Sequence, residues 1–148
     1  MTFSATFVYQ KLDAVRSYIV ELKHLLDHVS DEEFFSDSGK FHIAERLVQL
    51  IVDGMIDINQ HFIKELNLKL ADDLQSTFVT VGEYGVLPKE FAERIAPVTG
   101  VRNILVHQYE KLDKETFLRK LRRHFSDFED YESYIVGYLE ENKDGTGS

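Results

Sequence analysis

Eight consecutive residues hold most of the chemistry this sequence offers: Arg102-Asn103-Ile104-Leu105-Val106-His107-Gln108-Tyr109. A permanent cation, an amide, an imidazole and a phenol stand here around three aliphatic side chains. A helix turns by about 100° per residue, so a helical reading puts Asn103 and His107 on one face and nearly eclipses Arg102 with Tyr109 two turns on. Ile104 and Leu105 then point toward a core, and only Val106 falls within the polar arc. Arginine grips phosphate through two donors at once, and histidine exchanges a proton near neutral pH. That pairing suits a phosphodiester.

Cleaving a phosphodiester through a neighbouring hydroxyl needs a base for that proton, an acid for the leaving oxygen and a cation for the crowded phosphorus. One imidazole supplies the base or the acid, not both at once. A two-fold dimer brings a surface against its own copy, and so would gather two Arg102 and two His107 into one cleft. The plainer reading makes Arg102 an ion-pair partner, His107 a cation at a helix C-terminus and Tyr109 an aromatic at the bundle edge. On residue types alone the plainer reading is the stronger.

The elements that would position this stretch read as helices throughout, with two prolines, eight glycines and few alternating apolar runs. Val8, Leu12, Val15, Ile19, Leu22 and Leu26 form one stripe, predicting a helix over about Ala5 to His28. Ser30-Asp31-Glu32-Glu33 has the form of a capping box, with Glu33 placed to reach back to the Ser30 backbone, and it opens a short turn. Ile43, Leu47, Leu50, Ile51, Met55, Ile58 and Phe62 give a central helix over about Phe41 to Leu66 a broad apolar face, with Asp53, Asp57, Gln60 and His61 off it. Asn67 to Lys69 turns the chain. A further helix over about Asp72 to Tyr84 closes at Gly85, and Pro88 stands at the first position of the next. Pro97 lies inside that helix and predicts a kink near Glu93 to Pro97. Asp113 is a candidate cap for a last helix, whose stripe from Phe117 to Leu139 ends near Glu141. The expected architecture is all-α: an antiparallel up-and-down bundle of four to five helices over residues 1–142. Residues 143–148 read as a disordered tail whose end resembles an expression remnant.

Composition narrows the partners. With 148 residues the chain can bury a sizeable core, and with no cysteine it has neither disulfide nor thiolate site. No segment resembles a leader or a membrane span, so the expectation is a cytoplasmic protein without a membrane partner. A net charge of −9 argues against indiscriminate nucleic-acid binding, leaving one local basic stretch. Its candidate RNA contacts are Lys111, Lys114, Arg119, Arg122 and Arg123, with Lys120 among them. A solvated helix face explains that stretch equally well.

The Arg102–His107–Tyr109 spacing resembles the signature of HepT-like toxins in the HEPN superfamily of all-α ribonucleases. Ala44-Glu45-Arg46-Leu47-Val48-Gln49, Gly85-Val86-Leu87-Pro88 and Gly100-Val101-Arg102-Asn103 extend the resemblance over roughly residues 8 to 140. It implies a HEPN-like homodimer with the motif at its interface, and a metal-independent endoribonuclease with no cofactor. Arg102 and His107 would be catalytic and Asn103 supporting. It also implies a toxin of a type VII-like toxin–antitoxin system, neutralised when a cognate MntA-like nucleotidyltransferase transfers AMP to Tyr109. The alternative is a non-catalytic helical adaptor that is only a substrate or partner of such an enzyme.

Other clusters carry less. His24, Asp27 and His28 share helical spacing with Glu21, yet ferritin-like sites need two Glu-x-x-His units and only Glu21-Leu22-Lys23-His24 fits; no metal site is expected. Asp57 and His61 read as a hydrogen-bonded helix pair, and His42 and His124 as surface residues.

Overall fold

A computed structural model describes residues 3–143. The first helix, α1 (Ala5–His28), buries all six residues of its predicted stripe. It starts where Ser4 Oγ accepts the Phe7 N–H at 3.1 Å. Ser30 caps α2 (Asp31–Ser36) by accepting the Glu33 N–H. The Glu33 carboxylate, expected to turn back to the Ser30 backbone, meets Lys40 Nζ instead at 3.1 Å. Next, α3 (Ser38–Glu65) begins three residues before the expected Phe41, because Asp37 accepts the Lys40 N–H and so caps it. It ends at Asn67, in the left-handed region at φ 56°, with the Leu68 N–H bonded to the Ile63 carbonyl. Asp73 caps α4 (Leu74–Glu83), which stops at Gly85 with φ +90°. Only glycine adopts that backbone freely, and it lets the Val86 N–H reach the Val81 carbonyl at 2.9 Å.

The two remaining rods are broken. Pro97 was expected to kink one helix; it divides α5 (Lys89–Ile95) from α6 (Val98–His107). Ala96 and Pro97 keep right-handed helical dihedrals, but Thr99 and Gly100 bond three residues back, to the Ala96 and Pro97 carbonyls. The missing proline N–H is enough to interrupt the ladder. Pro88 stands one place earlier than expected, as the cap residue before Lys89. The final stripe also parts, at Phe125, into α7 (Lys114–His124) and α8 (Ser126–Glu141). The packing partners change there. In α7, Phe117 packs on Phe41, and Arg122 bonds Asp31 and the Leu26 and Val29 carbonyls; α8 lies along α1 and reaches α3 through Tyr131 and Tyr138. Between α6 and α7, Tyr109–Lys111 forms a 3-10 turn. The expected four to five rods are thus eight α-helices, with no strand among the described residues.

Pairings between helices give their directions. Ser4 with His61 and Lys11 with Asp57 set α1 antiparallel to α3. Tyr9 with Glu140 and Arg16 with Glu132 set α8 antiparallel to α1. A β-carbon on Gly54 would run into Val15 Cγ2, so glycine is what lets α1 and α3 approach. In the core, the fully buried Tyr131 of α8 donates to Asn59 Oδ1 at 2.7 Å, and Asn59 Nδ2 donates to Thr77 Oγ1 at 3.2 Å. Each of these buried polar groups has a partner, as burial demands. The polar contact binds α3, α4 and α8 at one level. Residues 144–148, most of the expected tail, lie outside the described residues. No helix among the described residues is long and apolar enough to cross a membrane.

Candidate active site

The motif stretch from Arg102 to His107 lies on α6, which packs against α3. Arg102 donates from Nε to Asp53 Oδ1 at 2.7 Å, and from Nη1 to Asn103 Oδ1 at 3.2 Å. The Arg102 side chain retains 20% of its exposure, so the guanidinium is braced on one edge while its other donors stay accessible. Asn103 therefore orients the arginine; the imidazole, a target the sequence had also allowed, receives no bond from it among the described residues. The amide nitrogen of Asn103 has no hydrogen-bond partner among the described residues and can face a ligand.

His107 is the last residue of α6 and is exposed. Five residues separate it from Arg102, about 140° around a helix. Within this chain the two side chains diverge. Their surroundings are half-open as well: of α6 only Thr99 is buried, while Val101, Ile104 and Leu105 are partly buried and Val106 is exposed. Ile104 and Leu105, expected in the core, are therefore only partly covered.

Tyr109 is not on the helix. Gln108, at φ −139° and ψ 41°, ends α6 and turns Tyr109 back toward the start of α3. There its hydroxyl donates to Glu45 Oε1 at 3.0 Å. Partial burial, then the Glu45 hydrogen bond and charge, raise the phenol above its ordinary 10. Glu45 is only 6% exposed, and its Oε1 also faces His42 Nδ1 at 2.7 Å. Its Oε2 is buried with no partner among the described residues. Nothing in the motif's spacing points to Glu45 or Asp53, and His42, expected at the surface, is exposed yet bonded to Glu45. One signal was present: Glu45 stands at helical spacing with Phe41, Val48 and Val52, all buried, so a carboxylate occupies a core position.

The basic stretch divides. Arg122 uses three nitrogens on Asp31, Leu26 O and Val29 O, closing the C-terminal end of α1 rather than facing a ligand. Lys111, Arg119 and Arg123 are exposed, and Lys114 stands 5.3 Å over the Phe41 ring while remaining exposed. The expected Asp57–His61 pair does not form: Asp57 takes Lys11, and His61 Nε2 accepts the Ser4 N–H at 3.1 Å. His24 and His28 stack on each other at 4.1 Å. No group of three or more potential metal ligands clusters among the described residues.

With this geometry in view, the family model described as "Ribonuclease HepT-like" matches residues 15–135. The chain belongs to the HepT-like ribonucleases. It is 31% identical over 136 residues to the tRNA nuclease HepT of Aphanizomenon flos-aquae, covering 89% of this chain and 92% of that one. The mRNA nuclease HepT of Shewanella oneidensis is 23% identical over 126 residues, covering 80% and 93%. Among solved structures, the Bacillus subtilis cytosolic protein YutE superposes with a TM-score of 0.81 at 16% identity, over 96% and 95% of the two chains. A tri-AMPylated HEPN toxin of S. oneidensis, in complex with its MNT antitoxin, gives 0.79 at 19% identity, over 88% and 96%. The HepT-like fold here is all-α, and the enzyme class is ribonuclease.

Proposed function

We propose that this HepT-like ribonuclease is the toxin of a toxin–antitoxin pair, an endoribonuclease that cuts RNA without a metal ion and acts as a homodimer. A cognate MntA-like nucleotidyltransferase would silence it by AMP transfer to Tyr109. The observation that carries this reading is a braced arginine and an exposed histidine diverging on one half-covered helix. Asp53 holds Arg102 with donors to spare, which suits a phosphate. His107 diverges from Arg102 within one chain, so a second copy must complete the cleft, and the partly bared Val101, Ile104, Leu105 and Val106 suit such an interface.

In that cleft one His107 takes the 2′-hydroxyl proton as the 2′-oxygen bonds to phosphorus. The other gives a proton to the 5′-oxygen as its bond to phosphorus breaks, and Arg102 neutralises the phosphate between them. Lys111, Lys114, Arg119 and Arg123 would guide the RNA. For the silencing step, the likeness to an AMPylated toxin bound to its antitoxin supports Tyr109, two residues beyond His107 and 39% exposed. Each AMP adds negative charge and bulk beside the RNA path.

Purified chain incubated with tRNA or mRNA in EDTA should cleave it, and should sediment as a dimer. Val106→Glu should yield monomers that no longer cut. Co-expression with a cognate nucleotidyltransferase should raise the intact mass in AMP-sized steps that vanish in Tyr109→Phe. Full activity in the monomer, or mass steps that survive Tyr109→Phe, would overturn the corresponding part.

A further inference from the structure

We propose that Glu45 is the base for modification of Tyr109, so that the toxin itself supplies the proton acceptor its antitoxin needs. This rests on the reading of Tyr109 as the AMP acceptor. Three features converge. The hydroxyl of Tyr109 already donates to Glu45 Oε1 at 3.0 Å, the contact a proton transfer requires. Glu45 is more than nine-tenths buried, and its Oε2 has no hydrogen-bond partner among the described residues. A methionine or leucine would fill that place without the cost of desolvating a charge; what a carboxylate adds is the capacity to accept a proton. The third feature is His42, whose Nδ1 stands 2.7 Å from Oε1 while its side chain is 57% exposed. Its ring fixes the orientation of the carboxylate toward the phenol and borders the route by which the proton reaches water.

The step balances as follows. The phenolic oxygen of Tyr109 forms a bond to the α-phosphorus of a nucleoside triphosphate bound by the transferase. The bond from that phosphorus to the oxygen bridging to the β-phosphate breaks, and pyrophosphate leaves with the electron pair. The phenol proton passes to Glu45 and then to solvent. A phenol is protonated at neutral pH, and burial with the neighbouring carboxylate makes its proton harder still to lose to water. The proton therefore has to leave during the attack, to a base already in contact. Asp53, the other carboxylate on this side of α3, lies eight residues away, about 12 Å along the helix, and is bonded to Arg102.

The test measures AMP incorporation from ATP into the intact chain by its cognate nucleotidyltransferase. Glu45→Gln keeps the shape and an acceptor oxygen but cannot serve as the base. Incorporation should slow by about 10²-fold or more, with thermal midpoint and RNA cleavage unchanged. Installing 3,5-difluorotyrosine at position 109, a more acidic phenol, should restore much of the lost rate in the Glu45→Gln chain. Should Glu45→Gln fail to fold, Glu45→Asp decides: a displaced carboxylate should slow incorporation by about 10-fold or more. Full-rate modification in either variant, or a slow Glu45→Gln chain that the fluorinated tyrosine does not speed, overturns the assignment. No incorporation into the unsubstituted chain, or incorporation that persists in Tyr109→Phe, would instead refute Tyr109 as the acceptor.

Discussion

Tyr131 and Tyr109 each donate their hydroxyl proton to a side chain of α3, Asn59 and Glu45 respectively. The acceptors stand fourteen residues apart, about 21 Å along one helix. Around Tyr131 the acceptor is a neutral amide whose nitrogen donates in turn to Thr77, and the ring is completely buried. Around Tyr109 the acceptor is a buried carboxylate with one oxygen unbonded, and the ring is more than a third exposed. The first arrangement costs nothing in unpaired polar groups and binds three helices together. The second leaves an acceptor unbonded inside and a nucleophile half outside. A fold tolerates that second kind of environment where it has a use.

The largest effects should fall at the open end. His107→Ala should lower RNA cleavage by about 10²- to 10⁴-fold, and Arg102→Ala by about 10²- to 10³-fold, each leaving the melting temperature unchanged. A loss of stability in place of activity would move these residues to the structural side of the comparison. Asp53→Asn sharpens it: the charge that braces Arg102 goes, yet the shape stays. Cleavage should fall by about 10- to 100-fold through misplacement of the guanidinium, measured at saturating RNA to separate placement from binding.

At the closed end, Tyr131→Phe strands the Asn59 acceptor in the core. Stability should drop by about 1–3 kcal/mol in urea unfolding, with cleavage per folded molecule intact. Tyr109→Phe should cost under about 0.5 kcal/mol, because its ring is more than a third exposed and Glu45 Oε1 keeps its contact with His42 Nδ1. Equal losses in the two variants would erase the distinction between the two ends.

The contrast also explains what could be read from sequence. The caps at Ser30 and Asp113 and the left-handed turn at Gly85 are local, and the stripe of α1 is buried residue for residue. A local pattern suffices wherever a helix is covered along one whole face. It fails on α3, where Ile43 of the expected apolar face is 48% exposed and Glu45, two residues on, is buried. A helix half uncovered at one end no longer sorts polar from apolar residues by face. The Phe125 break follows a change of packing partner that no proline or glycine announces. Asp53 and Glu45 meet Arg102 and Tyr109 across 49 and 64 residues of sequence, and those pairings depend on the register of α6 and the following turn against α3. The spacing of Arg102, His107 and Tyr109 was legible; what holds them was not.

Two residues past Asn59 on α3 stands His61, whose role is structural although its side chain titrates. It stacks on Phe7 at 4.5 Å and takes the Ser4 N–H on Nε2. Burial, followed at a distance by Glu65, which opposes it, and by Lys64, lowers its pKa from the usual 6.5. Protonating Nε2 would also remove the lone pair that accepts from Ser4. A histidine lowered in this way is neutral when folded but gains a proton when unfolded in mild acid. Its share of stability is therefore full above about pH 6.5 and is lost as pH falls through the folded value. Urea midpoints at pH 7.5 and 5.5 should differ less in His61→Gln than in the parent chain, since glutamine can accept from Ser4 but does not titrate. A pH dependence identical in both chains would show that the α1–α3 seam, like the Tyr131 network, is held by groups that do not change charge in this range.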